Sequence, residues 1–415
     1  MTNKEAGTMR GALSHIRVLD LSRILAGPWA SQTLGDLGAE VIKIERPGSG
    51  DDTRSWGPPY LKDREGRDTD VSAYFLCANR NKRSVTLDMA KPEGQALIRE
   101  LARKSDVLLE NFKVGGLKQY CLDYESLRAI NPRLVYCSIT GFGQTGPYAN
   151  RPGYDFLIQG MGGLMSLSGR PDGEPGAGPV KVGVALTDVM TGLYAATAIL
   201  AALAHRDKSG EGQYIDLALL DVQVACLANQ ALNYCTTGNP PRRLGNAHPS
   251  IVPYEDFPTA DGYMILAIGN DVQFARFCIE AGQPELAEDA RFVTNADRVR
   301  NRKVLVPLLR QITVTRATSE WIAALESKGI PCGPINDLAG VFADPQVKAR
   351  KMQIAMSHQA CDAIPQVASP MRLSASPVSY RSAPPQIGEH TREVLETVLG
   401  LSPARINELR QIGAI

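Results

Sequence analysis

Short β-branched stretches alternate with helical patterns through the first 150 residues of the chain. Residues 15–21 (HIRVLDL) and 40–45 (EVIKIE) have the alternating apolar positions of strands, and 92–104 has helical spacing. Further strands are predicted at 83–87, 107–111 and 133–139. Strands separated by helices pair in parallel through right-handed crossovers. We therefore predict an α/β fold with a mostly parallel sheet.

The pattern changes in the second half of the chain. The predicted elements there are an apolar helix at 192–204, strands at 214–219 and 263–268, and helices at 221–234 and within 272–328. Turn residues gather at 236–241, where we predict a linker. A chain of 415 residues is long enough for two domains.

The predicted domain bounds follow from this linker. Residues 1–220 and 346–415 form a large domain, 221–245 a linker helix and loop, and 246–345 a smaller α+β domain with its return linker. The final 70 residues hold many prolines and too few apolar positions for a core of their own. We expect them to pack back on the first domain.

Charge and cysteine usage exclude several classes of protein. The net charge is +1, so no overall field favours nucleic acid or an anionic membrane. The eight cysteines include no Cys-x-x-Cys pair, and none is beside a histidine at metal-ligand spacing, which indicates reduced thiols and no metal site. Residues 1–14 lack the apolar core of a secretion signal, and the apolar run at 193–204 is too short to span a bilayer. We predict a cytoplasmic protein that binds neither nucleic acid nor membrane.

Basic side chains cluster in what should be loops after strands. Arg46, Arg80, Lys82, Arg83 and Lys113 would together form a basic rim suited to a phosphorylated ligand. Solvated surface is the alternative interpretation of each cluster taken alone. The turn at 22–28 has one glycine followed by proline and lacks the Gly-x-Gly-x-x-Gly fingerprint, which argues against a nicotinamide-dependent dehydrogenase.

Asp188 precedes the apolar helical run, and two interpretations of it remain open. It could be a helix N-cap, in which case Ser, Thr or Asn would replace it. It could instead be a covalent nucleophile, because a carboxylate in a crevice can attack an activated acyl group.

Several motifs resemble those of the class III CoA-transferases, the family of formyl-CoA transferase, carnitine CoA-transferase and the α-methylacyl-CoA racemases (CaiB/BaiF-like proteins). They include residues 17–28 (RVLDLSRILAGP), 37–50 (LGAEVIKIERPGSG), 79–89 (NRNKRSVTLDM), 139–148 (ITGFGQTGPY), 151–155 (RPGYD) and 183–192 (GVALTDVMTG). The resemblance implies a Rossmann-like, CoA-binding large domain, an interlocked homodimer, and an acyl-carrying nucleophile at Asp188. It implies coenzyme A thioesters and free carboxylic acids as substrates, with no further cofactor.

The same resemblance implies the residues that bind coenzyme A. By motif matching, the nucleotide half is contacted by Arg46, Lys82, Arg83, Asn111 and Phe112, and the thioester end by Leu25 and Ala26. The chain departs from the family at Leu25, where formyl-CoA transferase has glutamine. It also departs at Gln119 and Cys121, where arginine and glycine are common.

One branch of the family racemises acyl-CoA esters instead of transferring CoA. That branch has a histidine before an aspartate where this chain has Tyr154 and Asp155. Because an unperturbed tyrosine has a pKa of about 10, it is a poor base at neutral pH. We therefore favour transfer, with racemisation or isomerisation second and a CoA-binding regulator without chemistry third.

The small domain indicates the class of acceptor. Residues 243–254 (RLGNAHPSIVPY) resemble the succinyl-CoA:dicarboxylate transferases, such as the succinate–hydroxymethylglutarate enzyme. A dicarboxylate needs a cation for its distal carboxylate, and Arg242, Arg243 and His248 are candidates. Gly269 would let a backbone amide approach the developing oxyanion.

Overall fold

The computed structural model describes residues 11–358, 361 and 363–415, and its main feature is a six-stranded parallel sheet. The strands are β1 Arg17–Asp20, β2 Glu40–Glu45, β3 Tyr60–Lys62, β4 Asp68–Ser72, β5 Lys82–Thr86, β6 Val107–Glu110, β7 Val135–Thr140, β8 Tyr214–Ala218, β9 Tyr254–Pro258, β10 Tyr263–Ala267, β11 Cys332–Pro334, β12 Gln353–Met356 and β13 Ile364–Val367. The large sheet has the order β5-β2-β1-β6-β7-β8, and every pairing in it is parallel. The predicted α/β class is confirmed.

Helices connect the parallel strands and make up much of the rest. They are α1 Ala26–Asp36, α2 Ala73–Leu76, α3 Pro92–Arg103, α4 Tyr124–Arg128, α5 Asp155–Met161, α6 Leu164–Leu167, α7 Leu186–Ser209, α8 Leu219–Ala225, α9 Ala228–Thr237, α10 Asp271–Glu280, α11 Glu285–Glu288, α12 Asn295–Arg300, α13 Arg302–Thr313, α14 Thr318–Glu326, α15 Leu338–Ala343, α16 Pro345–Ala349, α17 Thr391–Thr397 and α18 Pro403–Gln411. Pro92 opens α3 as its first residue, a position that does not require an N–H group.

Both faces of the sheet are covered, which explains its apolar strands. In β1, Val18 belongs to one buried cluster and Leu19 to another, and Val41 and Ile42 of β2 divide in the same way. Successive side chains of a strand point to opposite faces, so a sheet buried on both sides has nearly continuous apolar strands. This arrangement places the ligand-binding edge at the carboxyl ends of the strands.

Helix α7 is longer than predicted and packs closely on α1. A Cβ atom added at Gly192 would lie 2.7 Å from the Ala26 carbonyl oxygen, so only glycine fits this contact. By length and composition, with a mean hydropathy of 1.5, α7 could cross a membrane, so the prediction that its apolar run is too short does not hold. Core helices of soluble proteins meet the same criterion, and 44% of the apolar window in α7 is buried within the structure.

The prediction of a single helix at 221–234 is wrong. The chain forms α8 and α9 instead, and Ala228, the first residue of α9, is in the left-handed region at φ 46°. Helix α8 buries Leu219 and Val222, whereas α9 buries none of its described residues. Apolar periodicity continues across the break, so the sequence gives no signal of it.

The structure divides into two compact units. The large unit takes in the described residues of Met1–Leu164, Val182–Thr236 and Lys348–Ile415, and the small unit comprises Met165–Lys181 and Thr237–Val347. The small unit has an antiparallel sheet of order β11-β10-β9 and its own core around Phe257, Phe274 and Trp321. In the large unit, Val394 and Leu409 of the C-terminal tail join the core beneath the parallel sheet.

Candidate active site

The loop after β1 holds a strained residue at the edge of the sheet. Ile24 has φ 72°, a left-handed conformation that is unfavourable for a β-branched side chain and costs on the order of 1–3 kcal/mol. Its N–H donates to the Asp51 carboxylate at 3.2 and 3.3 Å, and Lys43 Nζ donates to the same carboxylate at 2.8 Å. This buried support offsets the strain and fixes the start of α1.

Lys43 and Asp51 belong to a network of charges without solvent contact. Burial alone would raise the pKa of Asp51, but the Lys43 charge and the hydrogen bonds from Lys43 and Thr53 together outweigh it and lower the pKa to about 2. Asp20 accepts from Ser31 at 2.5 Å and from Lys82 at 3.2 Å. Burial lowers the pKa of Lys82 to about 8 against the attraction of Asp20. This buried network supports the β1–α1 loop from below.

A cavity of about 400 Å³ lies beyond the carboxyl ends of β1, β6 and β7. It brings together seven of the residues selected from the sequence: Leu25, Ala26, Asn111, Phe112, Lys113, Tyr154 and Asp188. Asn111 fixes the wall at two points, because its Oδ1 accepts from Arg23 N at 2.9 Å and its Nδ2 donates to Arg23 O at 2.8 Å. Ligands of open α/β sheets bind at this edge.

Asp188 is the third residue of α7 and does not cap it. The N-cap position is Ala185, whose side chain makes no capping bond, and the first-turn N–H groups are taken by Asp155. The capping interpretation of Asp188 is therefore wrong. Within the described part of the large unit, no hydrogen bond reaches the Asp188 carboxylate. Burial, and secondarily the charge of Asp155, raise its pKa to about 7.

An aromatic side chain stands near this carboxylate. Burial first, and then the charges of Asp188 and Asp155, raise the pKa of Tyr74 to about 12. Tyr74 packs edge-on against Trp56, with ring centroids 5.2 Å apart. Nothing in the local sequence marks Tyr74, because α2 follows a hairpin, β3–β4, that the hydrophobic pattern did not predict.

Two arginines on the cavity wall were missed as site residues. Arg23 lies beside Phe112, with its guanidinium carbon 5.5 Å from the ring centre. Arg151 lies over Tyr148 at 4.5 Å and over Phe142 at 5.3 Å. Among the described residues no carboxylate pairs with Arg151. Both arginines occur within the family motifs, so the sequence could have identified them as site residues.

Arg46 borders an adjoining hollow of about 200 Å³. Ser49, Met89 and Phe112 line the same hollow, and Phe112 and Arg23 border both it and the larger cavity. Arg46, Asn111 and Phe112 thus surround one continuous region of surface.

Lys82 and Arg83 do not reach this region, which corrects their predicted contact with a nucleotide. They begin β5 and so lie at the amino end of the parallel sheet. Lys82 has no exposed surface, and Arg83 donates to Glu40 at 2.6 Å and to Glu393 at 3.0 Å. Arg80 is likewise buried and paired with Asp36. Of the five predicted rim cations, only Arg46 and Lys113 border the two hollows.

The remaining selected residues, Arg242, Arg243, His248 and Gly269, belong to the small unit. Arg242 is exposed, whereas Arg243 is paired with Asp172. His248 Nδ1 accepts from Ser250 N at 3.0 Å, and Gly269 N donates to Gln273 Oε1 at 2.9 Å. Among the described residues, no three His, Cys, Asp or Glu side chains are grouped for a metal ion.

Known proteins have the same fold and similar sequences. A CAIB/BAIF family protein from Brucella suis has a crystal structure that matches with a TM-score of 0.82 and 51% identity, covering 93% of this chain and 98% of that one. Residues 13–391 match the model of CoA-transferase family III. The chain belongs to CoA-transferase family III, and it is an enzyme of the class III CoA-transferase type, which confirms the resemblance of its motifs.

Two relatives of similar sequence are CoA-transferases with named substrates. The succinate–glutarate CoA-transferase of Agrobacterium fabrum is 51% identical over 92% of this chain and 94% of its own length. The human succinyl-CoA:glutarate CoA-transferase is 43% identical over 97% of this chain and 90% of its own.

Proposed function

We propose that this enzyme moves coenzyme A from succinyl-CoA to a dicarboxylic acid of the glutarate class, with Asp188 as the nucleophile. The observation that carries the proposal is the Asp188 carboxylate, which borders the cavity without a hydrogen-bond partner in the described part of the large unit. The printed activities of the two relatives support the choice of donor and acceptor.

The reaction needs four acyl transfers and no net loss of a thioester. Asp188 attacks the donor thioester carbonyl, the C–S bond breaks, and a mixed anhydride and CoA thiolate result. The thiolate then attacks the aspartyl carbonyl, which releases succinate and leaves an aspartyl–CoA thioester. The acceptor carboxylate attacks this thioester and regenerates an anhydride and the thiolate. Thiolate attack on the acceptor acyl group then gives the product and restores Asp188.

Water must be kept from the two anhydrides and the aspartyl thioester, because hydrolysis would waste the donor. The cavity wall beside Asp188 is largely apolar or aromatic, with Leu25, Ala26 and Tyr154 bordering it. Backbone amides at such a wall can stabilise the tetrahedral oxyanions. Gly269 of the small unit stays a candidate from the sequence for an oxyanion donor, and its N–H donates to Gln273 Oε1.

Recognition of the second carboxylate requires a cation. Arg151 borders the same cavity as Asp188 and is held on two aromatic rings, so we assign it as the first candidate. Arg242 and His248 remain candidates from the small unit. Arg243 is a poorer candidate, because its charge is already paired with Asp172.

A matched pair of acceptors tests the dicarboxylate assignment. Glutarate and pentanoate have the same chain length and differ in one terminal carboxylate. A desolvated charge pair contributes about 2–5 kcal/mol, so glutarate should have a kcat/KM at least about thirtyfold higher with succinyl-CoA as donor. Product formation is followed by mass spectrometry. Arg151→Gln should reduce this preference while leaving pentanoate transfer unchanged, and equal use of both acids by the wild type would contradict the assignment.

We also propose that the enzyme is a cytoplasmic homodimer with interlocked chains. Apolar side chains are exposed on three neighbouring helices: Phe156 and Met161 on α5, Leu193 and Tyr194 on α7, and Val224 on α8. Exposed apolar patches of this kind are typical of protein interfaces. All eight cysteines are free, which is typical of a reducing compartment.

A further inference from the structure

Asp155, the first residue of α5, is bonded to the start of the helix that carries Asp188. Its Oδ1 accepts from Thr187 N at 2.8 Å and from Asp188 N at 3.3 Å. Its Oδ2 accepts from Gln159 Nε2 at 2.7 Å. Because Ala185 at the N-cap position offers no side-chain oxygen, these contacts replace the cap that α7 lacks.

The residue before Asp188 is also held by its side chain. Thr187 Oγ1 donates to Gln223 Oε1 of α8 at 2.7 Å. Thr187, Gln159 and Gln223 are all buried, with exposed fractions of 0%, 0% and 2%. Two neighbouring helices therefore fix the backbone and side chain of Thr187. The Asp188 side chain takes no part in these bonds and stays available to the cavity.

We propose that Asp155 is a positioning residue for CoA transfer, which caps the first turn of α7 from α5 and so aims the Asp188 carboxylate at the donor thioester. The inference rests on the proposed role of Asp188 as nucleophile. Asp155 has a second consequence for Asp188, because it is an anion close to another carboxyl group. Like charges at short distance favour the protonated form.

The other groups around Asp188 do not remove this effect. Tyr74 of α2 lies close to it and Tyr154 borders the same cavity, and the cations of the cavity wall are Arg23, Lys113 and Arg151. Packed against the same turn of α7, α1 contributes Trp29 and α8 contributes Gln223, neither of which titrates. Asp155 is the one charged group whose field raises the pKa of Asp188, in addition to burial.

Asp155→Asn separates the charge from the cap. The amide keeps an oxygen for the N–H groups of Thr187 and Asp188 but loses the negative charge. We expect kcat at pH 8.5 to stay within about threefold of wild type, and the acid limb of the kcat/KM profile to move down by about half a pH unit or more. Gln159→Met removes the bond from Gln159 to Asp155, together with those to Val182 N and Val184 O, but leaves the Asp155 charge in place. It should therefore leave the midpoint of that limb unchanged.

Asp155→Ala removes both the charge and the cap. We expect kcat to fall by at least about thirtyfold at pH 8.5 while the dissociation constant of succinyl-CoA changes by less than about threefold. The matched control is Asp337→Ala, because Asp337 caps α15 of the small unit through Gly340 N at 2.7 Å. That variant should lose thermal stability without a change in kcat or in the pH profile.

Two results would overturn the role of Asp155. One is an Asp155→Asn profile that superimposes on that of the wild type, and the other is an Asp155→Ala kcat no lower than that of Asp337→Ala. If Asp155→Ala fails to fold, the asparagine profile decides. Hydroxylamine treatment of wild type with succinyl-CoA tests Asp188 separately, because a hydroxamate there keeps the proposed function even if Asp155 has no role.

Discussion

Asp188 differs from an ordinary surface aspartate in both its burial and its neighbour. Its pKa is raised from 3.8 to about 7, first by burial and then by Asp155. A carboxyl group with a raised pKa is protonated below that value and is then a poor nucleophile, whereas above it the anion is more basic and more reactive than a normal carboxylate.

The pH dependence of the reaction follows from that direction. The kcat/KM for succinyl-CoA should rise with pH through a midpoint at about 7 and reach a plateau above about 8. Initial rates between pH 5 and 9 in buffers of constant ionic strength provide the measurement. A rate that is already at its plateau at pH 5 would mean that the reacting carboxylate has an ordinary pKa.

At the scale of elements, the β1–α1 loop depends on the buried pair of Lys43 and Asp51. Both side chains have no exposed surface, and Asp51 also holds the strained Ile24. Lys43→Met would leave Asp51 buried and unpaired, so we expect a loss of about 3–5 kcal/mol in the free energy of unfolding. Urea titration measures it. Lys62→Met is the matched control, because its pair with Asp68 is largely exposed and should cost less than about 1 kcal/mol.

A loss in Lys43→Met no larger than that in Lys62→Met would show that the buried pair does not stabilise the fold.

The sequence predicted β1, β2, β6 and β7 because their apolar residues form short, regular runs. It could not predict which lysines are buried. Lys82 and Lys113 look alike in sequence, and only the strand pairing shows that Lys82 starts β5 at the amino end of the sheet.

At the scale of the whole molecule, the sequence predicted a parallel sheet, a second compact unit and a cavity at the carboxyl ends. The antiparallel sheet of β9, β10 and β11 was only partly predicted, because β11 is three residues long and contains Gly333 and Pro334. The role of Asp155 was not predicted from the sequence either. Its bond to Thr187 spans 32 residues of chain and depends on the contact between α5 and α7.

The exposed apolar residues of α5, α7 and α8 predict association of two chains. Light scattering after size exclusion should give about twice the chain mass of 44.8 kDa. Leu193→Glu, which places a charge on α7 at a side chain with 47% exposure, should shift the mass toward a monomer and lower activity. Val304→Glu, at a similarly exposed position on α13, is the control and should stay dimeric. A monomeric, fully active wild type would contradict the dimer.

The central claim is that Asp188 carries the acyl group and then CoA. Wild-type enzyme incubated with succinyl-CoA, without acceptor, should gain a CoA-sized mass that hydroxylamine removes, leaving a hydroxamate on the peptide that contains Asp188. Asp188→Asn should fold and bind CoA but form no adduct, with transfer reduced at least about a thousandfold, or roughly 4 kcal/mol of barrier. An adduct on another residue, or transfer by the asparagine variant near the wild-type rate, would contradict the account.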